Sequence, residues 1–166
     1  ILHLEDNDVD AELIKVRLES ANIPCHITIV KKGDQFTKAL QEQEFDIILA
    51  DYRLPGYDGI SALHLTKKLC PNTPFIFVSG TLGEDAAIDC LVQGATDYVL
   101  KQRLTRLVPA VKRALSEVEV RRERQLAEES IRKLSQAIEQ SPVAIVITDT
   151  EGSIEFVNAK FTQVTG

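Results

Sequence analysis

The feature that most constrains this fold is an alternation repeated five times. Short apolar runs at residues 1–4, 25–30, 47–50, 75–78 and 98–100 each give way to a stretch with apolar residues at helical spacing. A brief apolar run closed by turn residues suits a strand buried on both faces, the usual condition in a parallel sheet. Strands and helices in strict alternation, with short connections, predict a parallel sheet with helices on both faces. The third run carries the sharpest signal: Ile47, Ile48, Leu49 and Ala50 end on a lone acid, Asp51, and the Pro55-Gly56 turn follows closely. In open α/β sheets ligands bind at the carboxyl ends of the strands. A carboxylate there is costly to bury unless a cation or donors meet it.

The intervening helices can be placed from their caps and apolar spacing. After the acidic turn Glu5-Asp6-Asn7-Asp8, Asn7 or Asp8 is expected to cap the first helix, with Asp10 and Glu12 favourable in its first turn. Val9, Leu13, Val16 and Ala21 are predicted to be its inward face, and Asn22 and Pro24 to close it. The second helix is expected at 33–43 with Phe36 and Leu40 inward. The third spans 58–69 through Ile60, Leu63 and Leu65, with Asp58 as its cap. Glu84 and Asp85 open a fourth, which Gly94 stops.

The residues at the strand ends then form a set: Glu5 and Asp6, Asp51, Ser79, and Lys101. Each follows or ends a different strand, and this architecture brings those ends to one crevice. Acids gathered at one site repel, so a bound cation accounts for them. They are hard oxygen ligands with no His or Cys at ligand spacing, which favours Mg²⁺ over zinc or copper. A lysine and a hydroxyl at the same edge suit a small anion. A divalent metal, an ammonium and a hydroxyl around one aspartate suit phosphoryl transfer, with an aspartyl phosphate on Asp51.

With these residues in order and register, residues 1–115 resemble the receiver domain of two-component response regulators, the flavodoxin-like fold of the chemotaxis regulator. The matching residues are Glu5-Asp6, Asp51, the turn Leu54-Pro55-Gly56-Tyr57-Asp58-Gly59, Ser79, and Tyr98 with Lys101. The resemblance implies a five-stranded parallel sheet in which Asp51 is the phosphoacceptor for a sensor histidine kinase or a histidine phosphotransfer protein. It implies Mg²⁺ held by Asp6, Asp51 and the Arg53 backbone carbonyl, with Glu5 acting through water. Lys101 would pair with the phosphoryl group, Ser79 would donate a hydrogen bond to it, and Tyr98 would turn inward as the switch. Such a chain is a regulatory phosphoacceptor rather than an enzyme in the ordinary sense; a kinase or cyclase would belong to the full-length protein. Two features depart from the family pattern. Gln102 stands where a proline usually follows the lysine, and the stretch Ser79-Gly80-Thr81-Leu82-Gly83-Glu84 is rich in glycine. Gly80 is expected to leave room over the acyl phosphate.

A long helix is expected over residues 105–141, roughly ten turns, ending at Pro142. Val108, Val111, Leu115 and Val118 form an apolar stripe. A charged stretch follows with Glu117-Arg121, Glu128-Arg132 and Glu129-Lys133 at i,i+4, and apolar residues resume at Leu126, Ala127, Ile131, Leu134 and Ile138. This predicts a parallel homodimer with a polar middle, over a linker at 116–141. Residues 142–166 read as a hairpin and a helix start that resemble the beginning of a PAS domain; an isolated hairpin is marginal, so the segment is expected to be disordered or ordered only by packing on a partner chain. Ile1 is not a natural start and Gly166 looks cut, so a longer chain is expected.

The formal net charge of −6 argues against nonspecific nucleic-acid binding. No apolar run approaches the roughly 18–20 residues of a membrane span. Cys25, Cys70 and Cys90 are odd in number and widely spaced, which suits reduced thiols and a cytoplasmic location. His64 is expected to be a surface or packing residue. Two rivals are a receiver-like dimerisation and docking scaffold that is never phosphorylated, and a phosphatase of the haloacid-dehalogenase type. The second wants an acid two residues after the nucleophile, where this chain has Arg53.

Overall fold

In the computed structural model, residues 1–21, 23–80 and 84–166 are described. Asn22 and the 81–83 part of the glycine-rich stretch lie outside the described residues. Five strands form one parallel sheet: β1 (Leu2–Leu4), β2 (Thr28–Val30), β3 (Ile48–Ala50), β6 (Phe75–Ser79) and β7 (Asp97–Leu100). Their spatial order is β2-β1-β3-β6-β7, so the last strand lies at an edge. Two residues on each side of the Pro-Gly turn make a small antiparallel ladder, β4 (Arg53–Leu54) and β5 (Tyr57–Asp58), where the sequence showed only a turn.

The helices divide between the two faces. α2 (Gly33–Glu42) and α3 (Gly59–Leu69) cover one face, where Phe36, Leu40, Ala62 and Leu63 meet Leu2, Leu4, Ile48, Phe75 and Phe77. α4 (Glu84–Val92) adds Cys90 to the same cluster. α1 (Asp8–Glu19) and α5 (Leu107–Glu139) cover the other, where Ile14, Leu18, Leu107 and Val111 meet Ile47, Leu49, Ile76 and Val78. Gly94 has φ +98°, a left-handed turn after α4 that few other residues adopt. Cys25, Cys70 and Cys90 are all free thiols.

The expected inward face of α1 is overturned. Ala11, Ile14 and Leu18 are buried, while Val9, Leu13 and Val16 are 74%, 51% and 50% exposed. Both triads lie at helical spacing, so periodicity could not choose between them. The turn capped by Asn7 sets the helix phase, with its side chain accepting from the Val9 and Asp10 amides. The outward triad is an apolar stripe on the surface.

The long helix also starts later than expected. Lys101–Arg106 form a 3₁₀ segment, with Arg103 at non-helical dihedrals, and α5 begins at Leu107. Pro109 explains this start: proline lacks the N–H that an interior helical turn needs, and only a first turn tolerates it. At 33 residues α5 is about 50 Å long. No helix among the described residues is long and apolar enough to cross a membrane.

Two compact units divide the chain, Ile1–Glu119 and Val120–Gly166, with the boundary inside α5. In the second unit Arg124 pairs with Glu128, and Lys133 with Glu129. Glu128 therefore turns toward Arg124, one turn back, rather than forward to Arg132 as expected. The segment expected to be marginal is ordered: β8 (Val146–Thr148) and β9 (Ile154–Val157) pair antiparallel, and α6 (Ala159–Thr165) follows. Asn158 supplies the reason. Its Oδ1 accepts from the Ile145 and Phe161 amides, and its Nδ2 donates to the Ile138 and Val143 carbonyls. One side chain thereby ties the end of α5, the chain entering β8, and the start of α6.

Candidate functional site

The Asp51 carboxylate follows directly from β3, whose three residues are buried by both helix layers. The backbone here is held at consecutive residues: the Asp51 amide donates to Leu4 O, and the Gly59 amide to Tyr52 O. A Cβ at Gly59 would come within 2.6 Å of both Asp51 O and Phe77 Cε1. Glycine is what lets α3 begin against the loop that carries Asp51. Asp58 caps that helix, its carboxylate accepting from the Ser61 amide and hydroxyl, as its sequence position predicted.

Lys101, immediately after β7, reaches back to Asp51. Its Nζ lies 2.6 Å from Asp51 Oδ2, 2.7 Å from Glu5 Oε2 and 2.7 Å from Asp10 Oδ2, and its side chain is 14% exposed. Burial opposes the ammonium, but the hydrogen bonds it donates to Asp10, Asp51 and Glu5 outweigh it and hold the Lys101 pKa above the ordinary lysine value. Glu5 is buried at the end of β1, and burial pushes its pKa up against the pull of Lys101 and the Asn7 amide. Asp51 Oδ1 also accepts from the Arg53 amide at 3.3 Å.

The structure thus brings Glu5, Asp51 and Lys101 together. Ser79 is buried at the end of β6, opposite Leu100 in the ladder with β7. Asp6 is exposed and is not among the carboxylates on Lys101. Tyr98 is half-buried and packs against the Phe75–Phe77 side of the core. Among the described residues, a Cβ on Gly80 would meet Lys101 Cδ at 3.9 Å, an ordinary contact. Gln102 has found a use in place of proline: its amide donates to Gly80 O at 3.4 Å, joining the loops after β6 and β7. His64 is exposed, in line with a surface role.

Sequence reasoning missed two residues here. Asp10 was read only as a favourable charge in a helix turn, yet it meets Lys101 across 91 positions. Adjacent acids in a sequence draw notice; one four positions further on, brought in by a helix turn, does not. His3 was passed over as a strand residue. It is fully buried, neither ring nitrogen has a hydrogen-bond partner, and its pKa falls to about 4. Desolvation is the largest cause, with Lys101 adding to it.

The residues fit a hard divalent cation. Glu5 and Asp51 touch the same nitrogen, so their oxygens lie close enough to share an ion. Among the described residues no group of three acids, histidines or cysteines converges as a ready cage. Mg²⁺ needs none, since it keeps several waters and takes one or two carboxylates.

Residues 1–112 match the response regulator receiver domain family. The chain belongs to this family. Residues 132–166 match a PAS domain family, starting within α5 and ten positions ahead of the expected start at 142. The DNA-binding transcriptional regulator NtrC of Salmonella typhimurium is 32% identical over 118 residues, which cover 70% of this chain and 25% of NtrC. The chain spans about a quarter of the length of the curated relatives it matches. The receiver domain of the Francisella response regulator 1452 superposes with a TM-score of 0.63 at 27% identity, covering 70% of this chain and 95% of that one. The beryllofluoride-activated NtrC4 receiver domain dimer gives 0.64 at 23% identity, over 70% and 96% of the two chains, a likeness of fold. Receiver domains are regulatory phosphoacceptors that bind Mg²⁺ at the phosphorylation site, and histidine kinases or phosphotransfer proteins phosphorylate them.

Proposed function

We propose that Asp51 accepts a phosphoryl group from a phosphohistidine of a sensor histidine kinase or a histidine phosphotransfer protein. The observation that carries this reading is the Lys101 ammonium at 2.6 Å from the Asp51 carboxylate, beside buried Glu5. An Asp51 oxygen attacks phosphorus. The P–O bond forms as the P–N bond breaks, and the imidazole leaves with the electron pair. Lys101 holds the transferred oxygens and Ser79 donates to one of them. Glu5, Asp6, Asp51 and the Arg53 carbonyl are the residues that would hold Mg²⁺. Bound there, Mg²⁺ offsets charge on the phosphoryl oxygens. The exposed Val9, Leu13 and Val16 stripe begins at the residue before Asp10, which suits docking of the donor beside the site.

Phosphorylation adds charge and acceptor oxygens at Asp51, and the pull on Ser79 makes room for Tyr98 to turn inward. The reading assigns residues 1–115 to the receiver, 116–141 to a helical linker that dimerises in parallel, and 142–166 to the start of a PAS output. The exposed Val120, Leu126, Ile131 and Leu134 of α5 support the dimer.

Incubation with acetyl phosphate and Mg²⁺ tests the reading. Wild type gains one phosphoryl group by intact mass and Asp51→Asn gains none. If the two behave alike, the chain is a docking scaffold rather than a switch.

A further inference from the structure

We propose that Asp10 is a positioning residue that holds Lys101 at the phosphoacceptor site when the other carboxylates are drawn away. The inference rests on the reading of Asp51 as phosphoacceptor. Three carboxylates meet the Lys101 ammonium, at 2.6 Å for Asp51 and 2.7 Å for Glu5 and Asp10. Glu5 and Asp51 have a second duty, since both belong to the oxygen set that fits a divalent cation. A cation bound to them competes for their lone pairs and repels the neighbouring ammonium. Asp10 belongs to neither the cation set nor the transfer chemistry, so its hold on Lys101 survives that step.

The placement of Asp10 suits this role. It sits in the first turn of α1, where the helix dipole favours a negative charge. The helix itself is fixed by buried Ala11, Ile14 and Leu18, so the carboxylate is presented from a rigid element. Lys101 has a flexible four-carbon stem and a compact charge, and its position depends on what grips it. It is also well shielded from water, at 14% exposed, which makes its charge-assisted hydrogen bonds stronger than those of a surface pair.

The test uses the full chain with Asp10→Asn, Asp10→Glu, Lys101→Met and the Asp10→Asn/Lys101→Met double variant. The first readout is the rate at which acetyl phosphate with Mg²⁺ labels Asp51. Losing one charge-assisted hydrogen bond slows labelling by about tenfold in Asp10→Asn. Asp10→Glu restores it to within about twofold, and in the Lys101→Met background Asp10→Asn has no further effect. The second readout is hydrogen exchange of the Lys101 ammonium by NMR, without phosphodonor: protected in wild type with or without Mg²⁺, and in Asp10→Asn protected without Mg²⁺ but unprotected once Mg²⁺ is added. Wild-type labelling and wild-type protection in Asp10→Asn overturn the proposal, as does a loss in Asp10→Asn that persists without Lys101. If wild type takes no label, the phosphoacceptor reading fails by itself, and ammonium protection alone then decides whether Asp10 grips Lys101.

Discussion

His3 and Asn158 are both fully buried polar side chains, one in each compact unit, and they are treated in opposite ways. His3 has no hydrogen-bond partner on either ring nitrogen, whereas Asn158 uses its side-chain oxygen and its amide twice each. The surroundings explain the difference. Ile1–Glu119 has two apolar layers, on either side of a five-stranded sheet, and can carry an unsatisfied imidazole at a cost. In Val120–Gly166, among the described residues, Asn158 is the one fully buried residue. A unit without an apolar core holds its shape by hydrogen bonds, and it has no surplus from which to leave one unmade.

Breaking the first unit should have the largest effect and leave the second alone. Phe77 is fully buried between Phe75 and Tyr52, so Phe77→Ala is expected to cost about 3–5 kcal/mol in denaturant unfolding of the receiver. Amide protection at Ile145 and Phe161 should not change. Equal loss there would show that the two units share one cooperative transition.

The unpartnered histidine should show itself through pH. Its folded pKa of about 4 lies below the ordinary 6.5, so between these values the unfolded chain binds the proton that the folded chain refuses. Stability is therefore full above pH 6.5 and falls as pH drops toward 4, by about 3 kcal/mol in all. His3→Leu should remove that part of the pH dependence. Parallel stability curves for wild type and variant between those values would refute it.

Asn158→Ala should cost the second unit about 2–3 kcal/mol, because several buried backbone groups lose their partner together. Exchange at Ile145 and Phe161 should accelerate accordingly, with Leu49 in β3 unaffected. The smallest effect supplies the control. Asp58 caps α3 as Asn158 caps α6, yet it bonds only within its own turn. Asp58→Ala should cost about 1 kcal/mol. Equal losses at the two positions would reduce Asn158 to a helix cap.

The sequence made the sheet and most of its edge legible because those signals are local. Apolar runs, caps and turn residues report the state of their own segment, so β3, the Asp58 cap and the Gly94 stop could be read directly. The face of α1 was not legible, since Val9, Leu13 and Val16 match helical spacing as well as Ala11, Ile14 and Leu18 do. Choosing between them requires the geometry of the sheet. The late start of α5 was written in Pro109 and was overlooked. Asp10 and Asn158 are a different case. Their partners lie on other elements, and nothing in the residues around them marks the encounter.

The site draws residue 101 to residues 5, 10 and 51, and the strand that delivers it is the last of the sheet's five in sequence and lies at its edge. This orders events during synthesis. A nascent chain that has emerged only through β6 holds three carboxylates and no ammonium among them, and their repulsion works against closing the crevice. When β7 leaves the ribosome it can add to the open edge without displacing a neighbour. It arrives with an electrostatic pull as well as an apolar surface. A ribosome stalled before Lys101 should therefore carry a sheet whose acidic end stays splayed, and the site would close in the same step that completes the sheet.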